Sequence, residues 1–184
     1  MLDIVALSEE KTASLLAELI ALECGERPNK ARQIRTATAL HDIGKLLIPD
    51  SILQKKGTLN SNEFETIKTH TVLGAYMLSG IQGEIGKMIR TVCEYHHEWY
   101  DGTKSYWGKR ASELPDYVPI VSICDVFTAL AAKRSYKEPW PPEKVLTYIQ
   151  NQSGTQFDPT LVTSFLSLLR SNDRIMAIFL EKMK

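Results

Sequence analysis

The chain has 184 residues, with 22 basic side chains balanced by 22 acidic ones and an apolar fraction of 43%. That is enough to bury a proper core, and it excludes a disordered tail, while ordinary glycine and proline content excludes a collagenous or low-complexity chain. Zero net charge excludes an anion-binding surface spread over the molecule, so neither nucleic acid nor a membrane is expected as a partner, and any anionic ligand must be gripped locally.

Apolar residues recur near every 3.6 positions and almost nowhere alternate, so residues 1–184 read as one all-α domain, a bundle of about seven to nine helices. The first helix is predicted from Ser8 to Cys24, with Thr12, Leu16, Leu19, Ile20 and Glu23 at helical spacing and Gly25 as its stop. A second is predicted from Asn29 to Asp42, its inner face made by Ile34, Ala37, Leu40 and His41, closing at Gly44. Pro49 heads a short helix over 50–53. Asn60 with Glu63 reads as a capping box opening a helix that reaches Leu78. Another runs from Gly83 to His96, followed by a polar, aromatic loop from Trp99 to Pro115. Pro119 starts a helix to Lys133, Pro142 one to Gln150, and Asp158-Pro159 a further one, with a last amphipathic piece from Ile175 to Lys184.

Cys24, Cys93 and Cys124 form no C-x-x-C pair and are expected to be reduced, buried thiols. The start of the chain shows no basic stretch ahead of an apolar run, and the apolar stretch 118–132 is interrupted by Pro119 and Asp125, so the expected setting is cytoplasmic.

The four histidines carry most of the chemistry. His41-Asp42 and His96-His97 each sit at a predicted helix end, where released backbone lets neighbouring side chains meet one ion. His70 shares a helical face with Ile67, Leu73, Gly74 and Met77 and is predicted to point inward; taken by itself, such a residue is more often a satisfied core histidine than a ligand. Asp125 lies among Val118, Val121, Thr128, Ala129 and Ala132, with no Lys or Arg at helical spacing on its face. A buried carboxylate there needs a partner, a proton or a metal, and a metal is the economical choice. Imidazoles and carboxylates spread over several helices suit a dinuclear iron or manganese site better than a closed thiolate zinc site.

The run His41-Asp42-Ile43-Gly44-Lys45 followed by Ile48-Pro49-Asp50 resembles the HD superfamily of metal-dependent phosphohydrolases, in its HD-GYP branch. The likeness continues, in order, through Lys68-Thr69-His70, His96-His97-Glu98, Asp101-Gly102, Asp125-Val126-Phe127, Arg134 with Tyr136-Lys137, and Gln156-Phe157-Asp158-Pro159. The resemblance implies an all-helical HD domain that hydrolyses cyclic di-GMP at a two- or three-metal centre. It implies further that Asp42 bridges two divalent ions, that His70, His96 and His97 complete one, and that His41 and Asp125 serve the other. Lys45 would act with Asp42 beside the reacting phosphate. Arg134 and Lys137 would hold phosphate oxygens, a solvated helix end being the alternative for both.

This sequence departs from the family pattern at three places. The first helix has no ligand histidine; Glu9 falls near that position and either replaces the imidazole or is an exposed first-turn acid. The Gly-Tyr-Pro segment is degraded to Lys104-Ser105-Tyr106-Trp107-Gly108, with Tyr106 standing for the family tyrosine in substrate contact. A family aspartate is Thr128 here. The leading expectation is a cyclic di-GMP phosphodiesterase yielding linear pGpG or GMP. Two alternatives stand beside it: a regulatory module that keeps metal or nucleotide and engages a protein partner without turnover, and an HD hydrolase of another nucleotide or phosphomonoester.

Overall fold

The computed structural model describes residues 9–132 and 139–171, apart from the side chains of Glu9 and Glu10. Arg134, Lys137 and the predicted helix 175–184 lie outside the described residues, as does the side chain of Glu9. Among the described residues there are nine α-helices: α1 Glu9–Glu23, α2 Pro28–Leu40, α3 Asp50–Leu53, α4 Ser61–Lys68, α5 His70–Met77, α6 Gly83–Tyr95, α7 Tyr117–Ala131, α8 Pro142–Asn151 and α9 Pro159–Ser171. Two 3-10 turns, Ile43–Leu47 and Ala111–Glu113, complete them, and the only β pairing among the described residues is one isolated bridge between Ser153 and Phe157. No described helix is long and apolar enough to cross a membrane.

The core lies where α1, α2, α6 and α7 pack together, closed on one side by α8 and α9. Ile20, Ile34, Val92, Val121, Ile123, Ile149 and Phe165 are fully buried there. α1 turns Ala13, Leu16, Ala17, Ile20 and Ala21 inward, whereas Leu19 faces solvent. Gly25 stops it in a left-handed conformation (φ 86°), with Glu26 N–H donating to Ala21 O. The cysteines are free, but only Cys93 and Cys124 are buried; Cys24, at the end of α1, is exposed.

Two elements differ from the sequence reading, each for a local reason. α2 ends at Leu40 instead of Asp42, because the chain tightens into the 3-10 turn, Lys45 N–H donating to Asp42 O. The predicted helix 60–78 has the expected capping box, Asn60 Oδ1 accepting from Glu63 N–H and Glu63 Oε2 from Asn60 N–H, but it breaks at Thr69 into α4 and α5. There the Thr69 and Thr71 hydroxyls donate to Thr66 O and Lys68 O, and the His70 ring takes Ile67 O, so side chains occupy carbonyls that a continuous helix would use. Apolar spacing cannot report that competition. α7 agrees with the reading, starting at Tyr117 with Pro119 within its first turn.

Gly44 has a different job from the one the sequence suggests. Its φ is negative like that of ordinary residues, so it is not a left-handed hinge. It is bare because the 3-10 turn presses directly on α5: a Cβ at Gly44 would overlap the His70 carbonyl oxygen and come within 2.5 Å of Gly74 N.

Candidate metal centre

The end of α2 delivers His41 and Asp42, the start of α5 His70, the end of α6 His96 and His97, and the middle of α7 Asp125. Three rings are oriented by backbone carbonyls close by in the chain. His41 Nδ1 lies 2.6 Å from Thr38 O, His70 Nδ1 2.5 Å from Ile67 O, and His96 Nδ1 3.0 Å from both Val92 O and Cys93 O. A carbonyl can only accept, so each Nδ1 carries hydrogen. In the neutral ring Nε2 is then a bare lone pair, the state in which imidazole binds a metal.

Those lone pairs converge on carboxylates. His70 Nε2 stands 3.2 Å and His96 Nε2 3.7 Å from Asp42 Oδ1, while the two nitrogens are 3.4 Å apart. His41 Nε2 is 3.4 Å from both Asp42 Oδ2 and Asp125 Oδ1. His97 packs its ring against His96 with centroids 4.0 Å apart. Asp42, His70, His96 and His97 can offer one atom each to a shared ion, and so can His41, His96 and Asp125. His41 Nε2 and Asp42 Oδ1 are buried without a hydrogen-bond partner, although a burial this complete normally demands one. With the rings neutral, acceptors face acceptors, an arrangement that calls for a cation, so the residues fit a divalent ion.

Charge is distributed unevenly within the cluster. Burial disfavours the charged His41 ring, but Asp42 and Asp125 outweigh it and hold its pKa well above the ordinary value. Asp42 is pulled well below the usual range, burial being overcome by His41, His70 and Lys45. Asp125 is likewise lowered, against its burial, chiefly by His41. Desolvation brings His97 down to about 4 in spite of Asp125, and burial together with His97 and His41 holds His96 well below its ordinary value. At neutral pH the metal-free protein therefore favours a proton on His41, between Asp42 and Asp125. A metal must expel it. Titration with Mn(II) at pH 7 is expected to release about one proton from this ring, and affinity should rise about tenfold per pH unit below the His41 pKa. Calorimetry in buffers of different ionisation enthalpy checks this; buffer-independent heats would contradict it.

The remaining predicted residues take distinct places. Lys45 pairs its ammonium with Asp42 Oδ2 at the rim of the cluster. Tyr106 lays its ring over His97, centroids 4.5 Å apart; burial, then Asp125 and Asp42, push its phenol up to about 12. Thr128 lies buried on α7, its hydroxyl donating to Cys124 O and Asp125 O. Glu9 opens α1, which packs on α7, but its side chain is outside the described set.

One important residue had no assigned role in the sequence reading. Glu98 follows the histidine pair, is buried, and accepts from Trp107 N–H at 2.8 Å and Lys109 N–H at 2.7 Å. It anchors the degraded segment beneath the centre. The only sequence signal was its adjacency to His97.

Compared with known families, residues 3–161 match the HD domain. The chain belongs to the HD domain family. It is 38% identical over 153 residues to the cyclic di-GMP phosphodiesterase response regulator RpfG of Xanthomonas campestris pv. campestris (83% of this chain, 40% of that protein). It is 35% identical over 153 residues to 3'3'-cGAMP-specific phosphodiesterase 2 of Vibrio cholerae (83% and 29%). The chain thus spans well under half the length of these curated relatives. Among solved structures, Bd1817, a HDG"Y"P protein from Bdellovibrio bacteriovorus, shares the fold with a TM-score of 0.69 at 17% identity, covering 88% of this chain and 51% of that one.

Proposed function

We propose that the chain is a metal-dependent phosphodiesterase that opens cyclic di-GMP, or a closely related cyclic dinucleotide, to linear pGpG or GMP. The observation that supports it most directly is the facing pair His70 Nε2 and His96 Nε2, 3.4 Å apart against Asp42 Oδ1, with both Nδ1 hydrogens already committed to backbone carbonyls. In this reading Asp42, His70, His96 and His97 hold one divalent ion. His41 and Asp125, with Asp42 between them and the first set, serve a second. Iron or manganese suits such a mixed imidazole and carboxylate set. Bound ions would supply activation of water and neutralisation of charge on the phosphate.

The chain's own residues do the rest. Asp42 and Asp125 stay ionised and available because the surrounding imidazoles, and for Asp42 also Lys45, depress their pKa values. Lys45, with 40% of its side chain exposed, stands at the mouth, where its ammonium can exchange Asp42 for a phosphate oxygen. Tyr106 walls off one side, its ring lying against His97. The relatives named for cyclic di-GMP and 3'3'-cGAMP support a cyclic dinucleotide as substrate.

Protein loaded anaerobically with Mn(II) or Fe(II) is expected to cleave cyclic di-GMP, and His41→Ala to lose turnover. A fully loaded wild type as inactive as that variant on cyclic di-GMP and 3'3'-cGAMP would overturn the assignment. One observation favours a second reading, a regulatory module engaging a protein partner without turnover. The donor set around His41 has only three members and borrows His96 from the other. That reading requires one ion per chain and nucleotide binding without product.

A further inference from the structure

Beside the metal cluster the chain exposes aromatic surface that its core does not need. Phe64 on α4 and Trp107 in the loop after α6 are 43% and 41% exposed. Tyr106 joins them to the centre: its ring lies 4.5 Å from that of His97 and 5.7 Å, edge to face, from that of Phe64. Lys68, one turn beyond Phe64, sets its ammonium 5.2 Å from the Trp107 ring and 5.8 Å from the Tyr106 ring, and is paired with Glu65.

Trp107 is held unusually firmly for a residue so exposed. The buried Glu98 carboxylate fixes its backbone N–H at 2.8 Å, and its indole Nε1–H donates to the hydroxyl of fully buried Thr71 at 3.2 Å. Two such anchors cost side-chain freedom, and an indole left in water returns little burial in exchange. A partly exposed aromatic ring held in place beside a charged centre is what a ligand that stacks requires, because preorganisation lowers the entropy lost on binding.

We propose that Trp107 and Phe64 form a stacking platform for one base of the cyclic dinucleotide whose phosphate lies at Asp42. The proposal deepens the phosphodiesterase reading and rests on it. A cyclic dinucleotide carries each base one ribose away from its phosphates, and the platform begins one ring, Tyr106, away from the histidines. Stacking is tolerant of base identity, since every base presents a π face. The platform therefore selects for a nucleobase over a simple phosphate ester and discriminates weakly between guanine and adenine.

Three proteins test it: wild type, Trp107→Ala and Trp107→Phe, all loaded with Mn(II), with ion content measured alongside steady-state hydrolysis of cyclic di-GMP. Trp107→Ala is expected to keep its ions and raise KM on the order of tenfold, with the larger part of the effect in KM and not in kcat, and Trp107→Phe to restore most of the affinity. Cyclic di-GMP should also quench wild-type tryptophan fluorescence more than that of Trp107→Phe. An active wild type whose Trp107→Ala variant has KM within twofold of it, with equal quenching in Trp107→Phe, overturns the platform and leaves the phosphodiesterase assignment standing. A loaded wild type that neither binds nor cleaves cyclic di-GMP or 3'3'-cGAMP overturns both.

Discussion

Asp42→Ala is expected to lower cyclic di-GMP hydrolysis on the order of 10³-fold or more, and to do so by emptying the centre instead of unfolding it. Asp42 is the carboxylate approached by the most partners. His41, His70, His96 and Lys45 all lie within ion-pair reach of it, and it belongs to the four-donor set. Without it the four-donor set loses its only carboxylate, the anion that offsets a dication's charge there. The fold has no comparable need of Asp42, which lies in the turn after α2 and outside the apolar core. Metal content, activity and a thermal melt on the same sample separate the two effects. Near-normal ion content with full activity would contradict the role given to Asp42, and loss of the folded state would contradict its independence from the core.

Gly44→Ala should do the reverse, damaging stability first and the centre through it. The added methyl meets backbone, not a side chain that could swing aside: the His70 carbonyl oxygen and Gly74 N. Relief requires moving the 3-10 turn off α5, at a cost of more than about 3 kcal/mol. Asp42 sits two residues before Gly44 and His70 provides the obstructing carbonyl, so the same movement separates two members of the four-donor set. Gly74→Ala, across the contact, is the control. Its Cβ would meet Gly44 N at 3.3 Å and Ile43 Cγ2 at 3.4 Å, a squeeze of tenths of an ångström offset by better helix propensity. Urea melts should rank Gly44→Ala far below Gly74→Ala, and equal midpoints would refute the contact argument.

These two positions also mark how far the sequence could be read. The histidine and aspartate pairs were visible because rare polar residue types fell at helix ends or on apolar faces, and the structure gathers His41, Asp42, His70, His96, His97 and Asp125 into one cluster. The helical content and most element ends followed from spacing, capping and glycine stops. The break at Thr69 did not, since hydroxyls and an imidazole competing for carbonyls leave the apolar pattern unchanged. Gly44 was noticed, but its reason is a tertiary contact that no local pattern encodes. Glu98 and Trp107 were equally opaque, because each draws its role from partners many residues away, Glu98 from the loop it anchors and Trp107 from Thr71.

The three tethered rings separate precision from assembly. His41 takes its bearing from Thr38, His70 from Ile67, and His96 from Val92 and Cys93, each within four residues of itself. Ring direction is thus written into short segments and travels with them, whatever the rest of the bundle does. Only the meeting of those segments is a long-range affair, and the press of Gly44 on α5 is where two of them are joined. Such a centre can tolerate drift in the core packing around it, much as a joint keeps its shape while the limbs change length, so long as the segments and that one contact persist.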